Sequence, residues 1–289
     1  MKLVIIILII GSILVVLLSL LFRWYMDHFF KKLKLLYKEA ILKEIIVEKD
    51  LIYKENEKNK LKMDLYRPGG KNKDEKVPVI ILLHGEGIEK LLKDVKEWSF
   101  YTSYGRVIAD KGYAAVTFHR SRTNLNFNHK EVAQDIIDAV AYVRNNAEQW
   151  SLDADRIGIW SFSLGGLYLS LFLKETPEYI RCLISYYGLL DIKSKVKKLD
   201  SVSKNYEPEN YLPEQAEGFP PLLVVKAERD KVKGVIESQE HFMEVANNKK
   251  LPFEVLLHHT GGHTFDALND NEETQEIMNK TWDFIRKNL

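Results

Sequence analysis

The chain has almost no cysteine. Cys182 is the only one in 289 residues, which excludes an intrachain disulfide and a cysteine-rich metal site. Set beside Leu183 and Ile184 in an apolar run, it reads as a small core residue. The chain also lacks an excess of charge of either sign: 42 basic and 41 acidic residues nearly cancel. A nucleic-acid-binding domain would carry a strong basic excess, so no nucleic-acid partner is expected. Histidine pairs suited to a metal are missing too. His258 and His259 are adjacent on an expected strand and would face opposite ways, so metal dependence is not expected. No internal repeat stands out. A hydrophobic content of 46% is that of a globular chain, and the length allows one large domain.

One long apolar run is present. Residues 3–22 hold no charge and are interrupted only by Gly11, Ser12 and Ser19, a length that spans a bilayer core as a helix. A secretory signal would have a shorter run and a small-x-small cleavage site. Here the run ends in Leu20-Leu21-Phe22-Arg23-Trp24-Tyr25, with an aromatic pair suited to a membrane interface. An uncleaved single-pass anchor is expected over residues 1–23, followed by a basic amphipathic stalk over 24–43. In the stalk Phe29, Leu33, Leu36 and Ala40 recur at helical spacing with lysines between them. That pattern fits a helix lying on an anionic membrane surface or a plain solvated connector. Lys2 alone precedes the run, whereas Arg23, Lys31, Lys32, Lys34, Lys38 and Lys43 follow it. The positive-inside bias therefore places the remainder of the chain in the cytoplasm. Residues 44–289 are expected to fold as one domain without the first 43.

Within that domain, residues 44–53 and 60–66 read as two strands around a polar turn. The second alternates Leu61, Met63 and Leu65 inward with Lys62, Asp64 and Tyr66 outward. Residues 77–83 form a continuous apolar run, expected of a strand buried on both faces of a parallel sheet. Similar runs at 114–118, 157–160, 182–186, 222–225 and 253–257 alternate with helix-like stretches, which argues an α/β fold with a mainly parallel sheet. Residues 191–219 have few strong apolar runs and read as an excursion over the top edge of that sheet.

The most informative stretch is Trp160-Ser161-Phe162-Ser163-Leu164-Gly165-Gly166, a strand ending in small-x-Ser-x-small just before a helix-like run. A tight strand-to-helix turn can hold a serine hydroxyl above the sheet as a nucleophile. The turn crowds the backbone, so residues two before and two after must be small. Ser163 has Ser161 and Gly165 in those places. For Ser161 they would be Ile159 and Ser163, and Ile159 would clash. Upstream, the apolar strand runs into His84-Gly85-Glu86-Gly87, a turn able to aim N–H groups of Glu86 and Gly87 at a developing oxyanion, with His84 bracing it. The N–H of Leu164 would be the further donor.

The run at 222–226 ends in Ala227-Glu228-Arg229-Asp230, which puts Asp230 in a loop at a strand's C-terminal end, where such sheets keep their sites. Asp191 is a rival acid that reads otherwise as a helix N-cap. Three histidines follow the last strand. His258 and His259 sit on it or next to it, whereas His263 follows a Gly261-Gly262 flexure able to swing it over Ser163.

On these residues, and on Gly262-His263-Thr264-Phe265-Asp266, residues 44–289 resemble the α/β-hydrolases, in particular the dienelactone-hydrolase-like and esterase/lipase branch. The resemblance implies a mainly parallel eight-stranded sheet flanked by helices and a triad in the order Ser163, Asp230, His263. It also implies no cofactor and hydrolysis of acyl esters, small or lipid, through an acyl-enzyme. Two features depart from the pattern. Dienelactone hydrolases proper use a cysteine nucleophile, and many relatives have glycine where Ser161 stands. Two rival functions share the fold. One is a non-catalytic binding protein, against which the intact site elements argue. The other is a peptidase with the same triad, whose relatives among the prolyl peptidases carry a large extra domain.

Overall fold

The apolar run at 77–83 forms β3 (Val77–Leu83), buried at every position and hydrogen-bonded on both sides to parallel neighbours. It sits inside an eight-stranded sheet of order β1-β2-β4-β3-β5-β6-β7-β8. The other strands are β1 (Ile45–Glu55), β2 (Lys60–Pro68), β4 (Ala114–Phe118), β5 (Leu152–Phe162), β6 (Ile180–Tyr186), β7 (Leu222–Ala227) and β8 (Glu254–His258). β1 and β2 pair antiparallel at one edge, and β2 joins β4 antiparallel. Every pairing from β4 to β8 is parallel. The computed structural model describes residues 2–38, 44–55, 60–70, 75–85, 95–121, 128–191 and 203–289, without the side chains of 2–9, 23, 26, 27 and 30.

Helices cover both faces, as a parallel sheet requires. Val132 and Ile136 of α3 (His129–Asn145), Phe172 of α4 (Ser170–Glu175) and Phe242 of α5 (Val235–Asn248) pack on one side. Tyr104 and Ile108 of α2 (Ser99–Asp110) and Trp282 and Ile285 of α7 (Glu272–Asn288) pack on the other. The two-faced cover corrects the half-exposed reading of β2. Asp64 and Tyr66 are both buried, because α2 and a 3₁₀ turn over Val95–Glu97 lie across their face. Tyr66 packs so closely on Gly105 that a Cβ there would come within 2.6 Å of the ring. Asp64 is compensated by the Nζ of buried Lys96 at 2.8 Å and by the Asp50 N–H at 2.9 Å, as a buried charge must be.

The N-terminal segment departs in part from the basic amphipathic stalk expected over 24–43. α1 (Lys2–Lys32) runs through the expected boundary at residue 23 without a break. Residues 33–38 then leave the helix and bind along α2 and α7. Leu35 is buried in the core face of α2, and its N–H donates to Ser103 Oγ at 2.9 Å. Gln275 grips the strap twice, accepting from the Lys38 N–H at 2.9 Å and donating to the Leu36 carbonyl at 2.5 Å. Tyr37 packs against Trp282. The physical reason is that Leu35 and Tyr37 find apolar partners on the domain that a solvated stalk would forgo; residues 39–43 lie outside the described residues. Among the described residues, which in α1 leave out the side chains of residues 2–9, 23, 26, 27 and 30, no helix is long and apolar enough to cross a membrane.

Of the excursion expected at 191–219, residues 192–202 lie outside the described residues. The remainder includes two 3₁₀ turns, Ser203–Tyr206 and Pro208–Tyr211. Tyr206 stacks on His129 at the start of α3, 5.6 Å between ring centres, so this part leans over the C-terminal ends of the strands.

Candidate active site

β5 ends at Phe162, and the chain turns at once into a 3₁₀ helix, Ser163–Leu169. Ser163 lies at φ +52°, in the left-handed region that a non-glycine residue enters at an energetic cost. The turn has almost no spare room. A Cβ on Gly165 would lie 2.4 Å from the Leu83 carbonyl oxygen, and one on Gly166 would lie 2.8 Å from that of Leu189. On the other side Gly85 abuts the serine, a Cβ there falling 2.9 Å from Ser163 Cβ. The two serines of the motif part company here. Ser161 is fully buried and its hydroxyl donates to the Ile184 carbonyl on neighbouring β6 at 2.9 Å, while Ser163 projects from the turn. Gly165→Ala is expected to destabilise the fold by about 1–3 kcal/mol through overpacking and to displace Ser163. Chemical denaturation together with active-site labelling checks both effects.

Asp230 and His263 stand where the strand ends put them. The Asp230 N–H donates to the Ala227 carbonyl in the turn after β7, and its carboxylate is buried. The stretch after β8 is held by the Arg229 N–H, which donates to the Gly261 carbonyl at 3.0 Å. That pins the glycine pair and brings His263 back over the sheet. His263 Nδ1 is 2.7 Å from Asp230 Oδ2, and its Nε2 is 2.9 Å from Ser163 Oγ. In the matching tautomer, Nδ1–H donates to the carboxylate and Nε2 accepts from the serine hydroxyl. The imidazole keeps about a fifth of its surface open to solvent, which leaves it reachable from the strand ends.

The rival residues have other partners. His258 is buried, with Nδ1 3.0 Å from Glu273 and Nε2 2.8 Å from Thr274 Oγ1, and burial lowers its pKa. His259 is exposed beside Glu228. Asp191 is buried against α5, its N–H donating to Ser238 Oγ at 2.7 Å and its carboxylate near His241 and Glu209; these three are the one group of potential metal ligands found together among the described residues. Leu164 occupies the first turn of the 3₁₀ helix, where N–H groups have no intrahelical acceptor. Glu86 and Gly87 lie outside the described residues. Just before them, the Gly85 N–H donates to Tyr101 Oη at 3.3 Å, and His84 Nδ1 lies 2.8 Å from the Gly85 carbonyl, the bracing expected of it.

Three residues of the surroundings escaped the sequence reading. Arg120, buried just past β4, donates to the His84 carbonyl at 2.8 Å and so holds the end of β3. Tyr187 packs on the His263 ring, 4.8 Å between centres. Asp266, three residues past His263, is fully buried, and burial pushes its carboxyl up to about 6. Asp266 closes the stretch Gly262-His263-Thr264-Phe265-Asp266, but nothing local marks a carboxylate as buried. The partners that enclose it come from α2 and β6, far away in sequence.

Comparison with known proteins agrees with this architecture. Residues 63–179 match the model of the BD-FAE family, an esterase family of the α/β-hydrolases. An 84-residue stretch is 37% identical to a probable 2-oxo-3-(5-oxofuran-2-ylidene)propanoate lactonase from Bradyrhizobium sp., taking in 27% of this chain and 32% of that protein. The match thus spans about a third of the curated relative's length. Among solved structures, a truncated carbohydrate esterase from gut microbiota superposes with a TM-score of 0.66 at 16% identity, over 86% of this chain and 99% of the other. The apo form of Thermogutta terrifontis esterase 2 does so with a TM-score of 0.63 at 16% identity, over 87% and 97%. An α/β hydrolase from a Medee basin deep-sea metagenome library gives 0.64 at 16%, over 85% and 98%. The chain has the α/β-hydrolase fold.

Proposed function

We propose that the protein is a serine hydrolase that cleaves carboxylic esters through a Ser163–His263–Asp230 triad and an acyl-enzyme. The observation that carries this reading is the continuous hydrogen-bonded relay from the buried Asp230 carboxylate through His263 to a serine held at φ +52°. The BD-FAE match and the esterase neighbours support an ester-acting hydrolase.

The chemistry follows from the geometry. His263 Nε2 takes the Ser163 proton as Oγ attacks the ester carbonyl carbon, and Asp230 holds the other ring nitrogen protonated and stabilises the imidazolium that forms. The carbonyl oxygen gains negative charge as the tetrahedral intermediate forms. The Leu164 N–H meets it, joined in this reading by N–H groups of Glu86 and Gly87, each donor contributing about 3–4 kcal/mol to lowering the barrier. His263 then returns the proton to the departing alkoxide. Water, deprotonated by the same imidazole, attacks the acyl-enzyme and releases the acid. No step calls for a metal or an organic cofactor.

Titration with a fluorophosphonate and assay against acyl esters of graded chain length test this. The expected results are one label per chain and hydrolysis of the members that fit. Thermogutta terrifontis esterase 2 is phosphorylated by paraoxon, and paraoxon is expected to label Ser163 here. A chain that neither labels nor hydrolyses any ester would instead be a binding protein on a hydrolase fold.

We further propose that α1 anchors the enzyme in a membrane, with the catalytic domain on the cytoplasmic side. Support comes from the uncharged stretch 3–22 and from the exposure of Ile10, Ile13, Leu14, Val15, Val16, Leu17, Leu18, Leu20, Leu21 and Phe22, each more than half open. A helix that is apolar on every side needs an apolar surrounding. The lysines that follow it supply the cytoplasmic bias.

A further inference from the structure

Asp266 poses a question that the triad does not answer. It is a carboxylate with no exposed surface, and burying one without compensation costs several kcal/mol. Among the described residues it is met by two tyrosine hydroxyls and by no lysine or arginine. Tyr104 Oη donates to Oδ2 at 2.5 Å, and Tyr187 Oη donates to Oδ1 at 2.9 Å and reaches Oδ2 at 3.2 Å. Its main-chain carbonyl accepts the Leu36 N–H of the N-terminal strap at 2.7 Å. Tyr187 is itself set at φ +38° just past β6, and its ring lies against His263. Asp266 begins only two residues after the backbone bend at Thr264, φ +60°.

We infer that Asp266 and Tyr187 form a brace that positions His263 from behind, and that the buried Asp266 charge favours the imidazolium formed during catalysis. This rests on His263 being the general base. Tyr187 supplies the wall that keeps the ring turned toward Ser163, and Asp266 fixes Tyr187 by its hydroxyl. A negative charge in a dry site is screened little and acts on a nearby imidazole more strongly than it would in water. Among the described residues the ionisable groups facing this pair are few: Tyr101 and Tyr104 from α2, Tyr186 at the end of β6, and His263 with its partners Asp230 and Ser163. Burial pushes the Asp266 carboxyl up to about 6, so the charge is present at neutral pH and above and is lost in mild acid.

The test uses the full chain in detergent or nanodiscs, with the active fraction counted by fluorophosphonate. Asp266→Asn keeps the size and removes the charge, while Tyr187→Phe keeps the ring and removes the hydroxyl. A misplaced catalytic group costs up to about 100-fold, and we expect kcat to fall about 10- to 100-fold in Asp266→Asn and less in Tyr187→Phe, with KM little changed. The acid limb of kcat/KM should move to lower pH in Asp266→Asn, because the anion favouring the imidazolium is gone. Wild type and variant should also converge as pH falls through about 6, where Asp266 takes up its proton. Because both residues act through one contact, the double variant should be no worse than the poorer single one.

Unchanged kcat and an unmoved acid limb in the labelled fraction of both variants would overturn the brace, as would losses that multiply in the double variant. If Asp266→Asn does not fold, the kcat of Tyr187→Phe decides the matter alone, and an undiminished kcat overturns the brace. A wild-type chain that fails to label overturns the reading of the triad itself, and the brace with it.

Discussion

Ser163→Ala is expected to abolish fluorophosphonate labelling and to lower ester turnover by something on the order of 10⁴- to 10⁶-fold, the loss typical of removing a triad nucleophile. The size follows from what the hydroxyl does. In the proposed mechanism it forms the covalent bond to the acyl group, and among the described residues His263 has no other nucleophilic side chain within hydrogen-bond reach. Folding should be intact, because Ser163 projects from the turn and its backbone, whose carbonyl accepts the Leu189 N–H at 2.8 Å, is untouched. Ser161→Ala is the matched control. It removes a hydroxyl that serves only the Ile184 carbonyl, so a loss of about 1 kcal/mol of stability is expected, with labelling retained. Labelling that persists in Ser163→Ala and vanishes in Ser161→Ala would reverse the assignment.

The second large effect is expected at the N-terminus, and it has two separable parts. Full-length protein should sediment with membranes and resist extraction by high salt, which strips only electrostatically held proteins. The apolar side chains of residues 3–22 far outweigh Ser12 and Ser19 in lipid. Recovery in the aqueous fraction with a shortened N-terminus would show the segment to be a cleaved signal. Removing the helix and removing the strap are different operations. A chain starting at Lys31 keeps Leu35, Tyr37 and the Gln275 contacts, and should match the full-length protein in stability and turnover on small esters. One starting at Glu44 exposes the site that Leu35 fills on α2 and leaves Ser103 and Gln275 without the strap. Losing a buried leucine costs about 2–5 kcal/mol; part of this is recovered from the entropy of ordering the strap. A fall in Tm of about 5–10 °C is expected in thermal unfolding. Because Leu36 also holds the Asp266 carbonyl, the shorter chain should lose turnover as well. Equal Tm and equal kcat for the two truncations would show the strap to be idle.

Much of the molecule was legible in residue order alone. The parallel strands announce themselves as unbroken apolar runs because both faces are covered, and β3, β5, β6 and β7 lie close to where those runs predicted. The turn at Ser163 was legible for a local reason. Crowding there demands small residues at 161 and 165, and that demand is written in the sequence whatever the rest of the chain does. Asp230 and His263 could be nominated because each follows the C-terminal end of an identifiable strand, and Gly261-Gly262 marked the flexure that separates His263 from His258 and His259.

Tertiary structure decided the rest. Whether Asp64 and Tyr66 face solvent depends on α2 crossing that side of β2, and period-two alternation in a nine-residue strand cannot report a helix 30 or more residues away. Residues 33–38 mix lysines with apolar side chains, a pattern that suits a membrane-surface helix or a connector equally well. They become a strap only because α2 and α7 together offer a seat for Leu35 and Tyr37. Asp266 is one carboxylate among many in the sequence, and only the meeting of Tyr104, Tyr187 and Leu36 around it makes it a buried charge behind a histidine. Local sterics and hydrophobic periodicity therefore determined the strands and the serine turn, and nominated Asp230 and His263 as its partners. Burial and electrostatics, which depend on residues brought together from distant parts of the chain, were settled only by the packing.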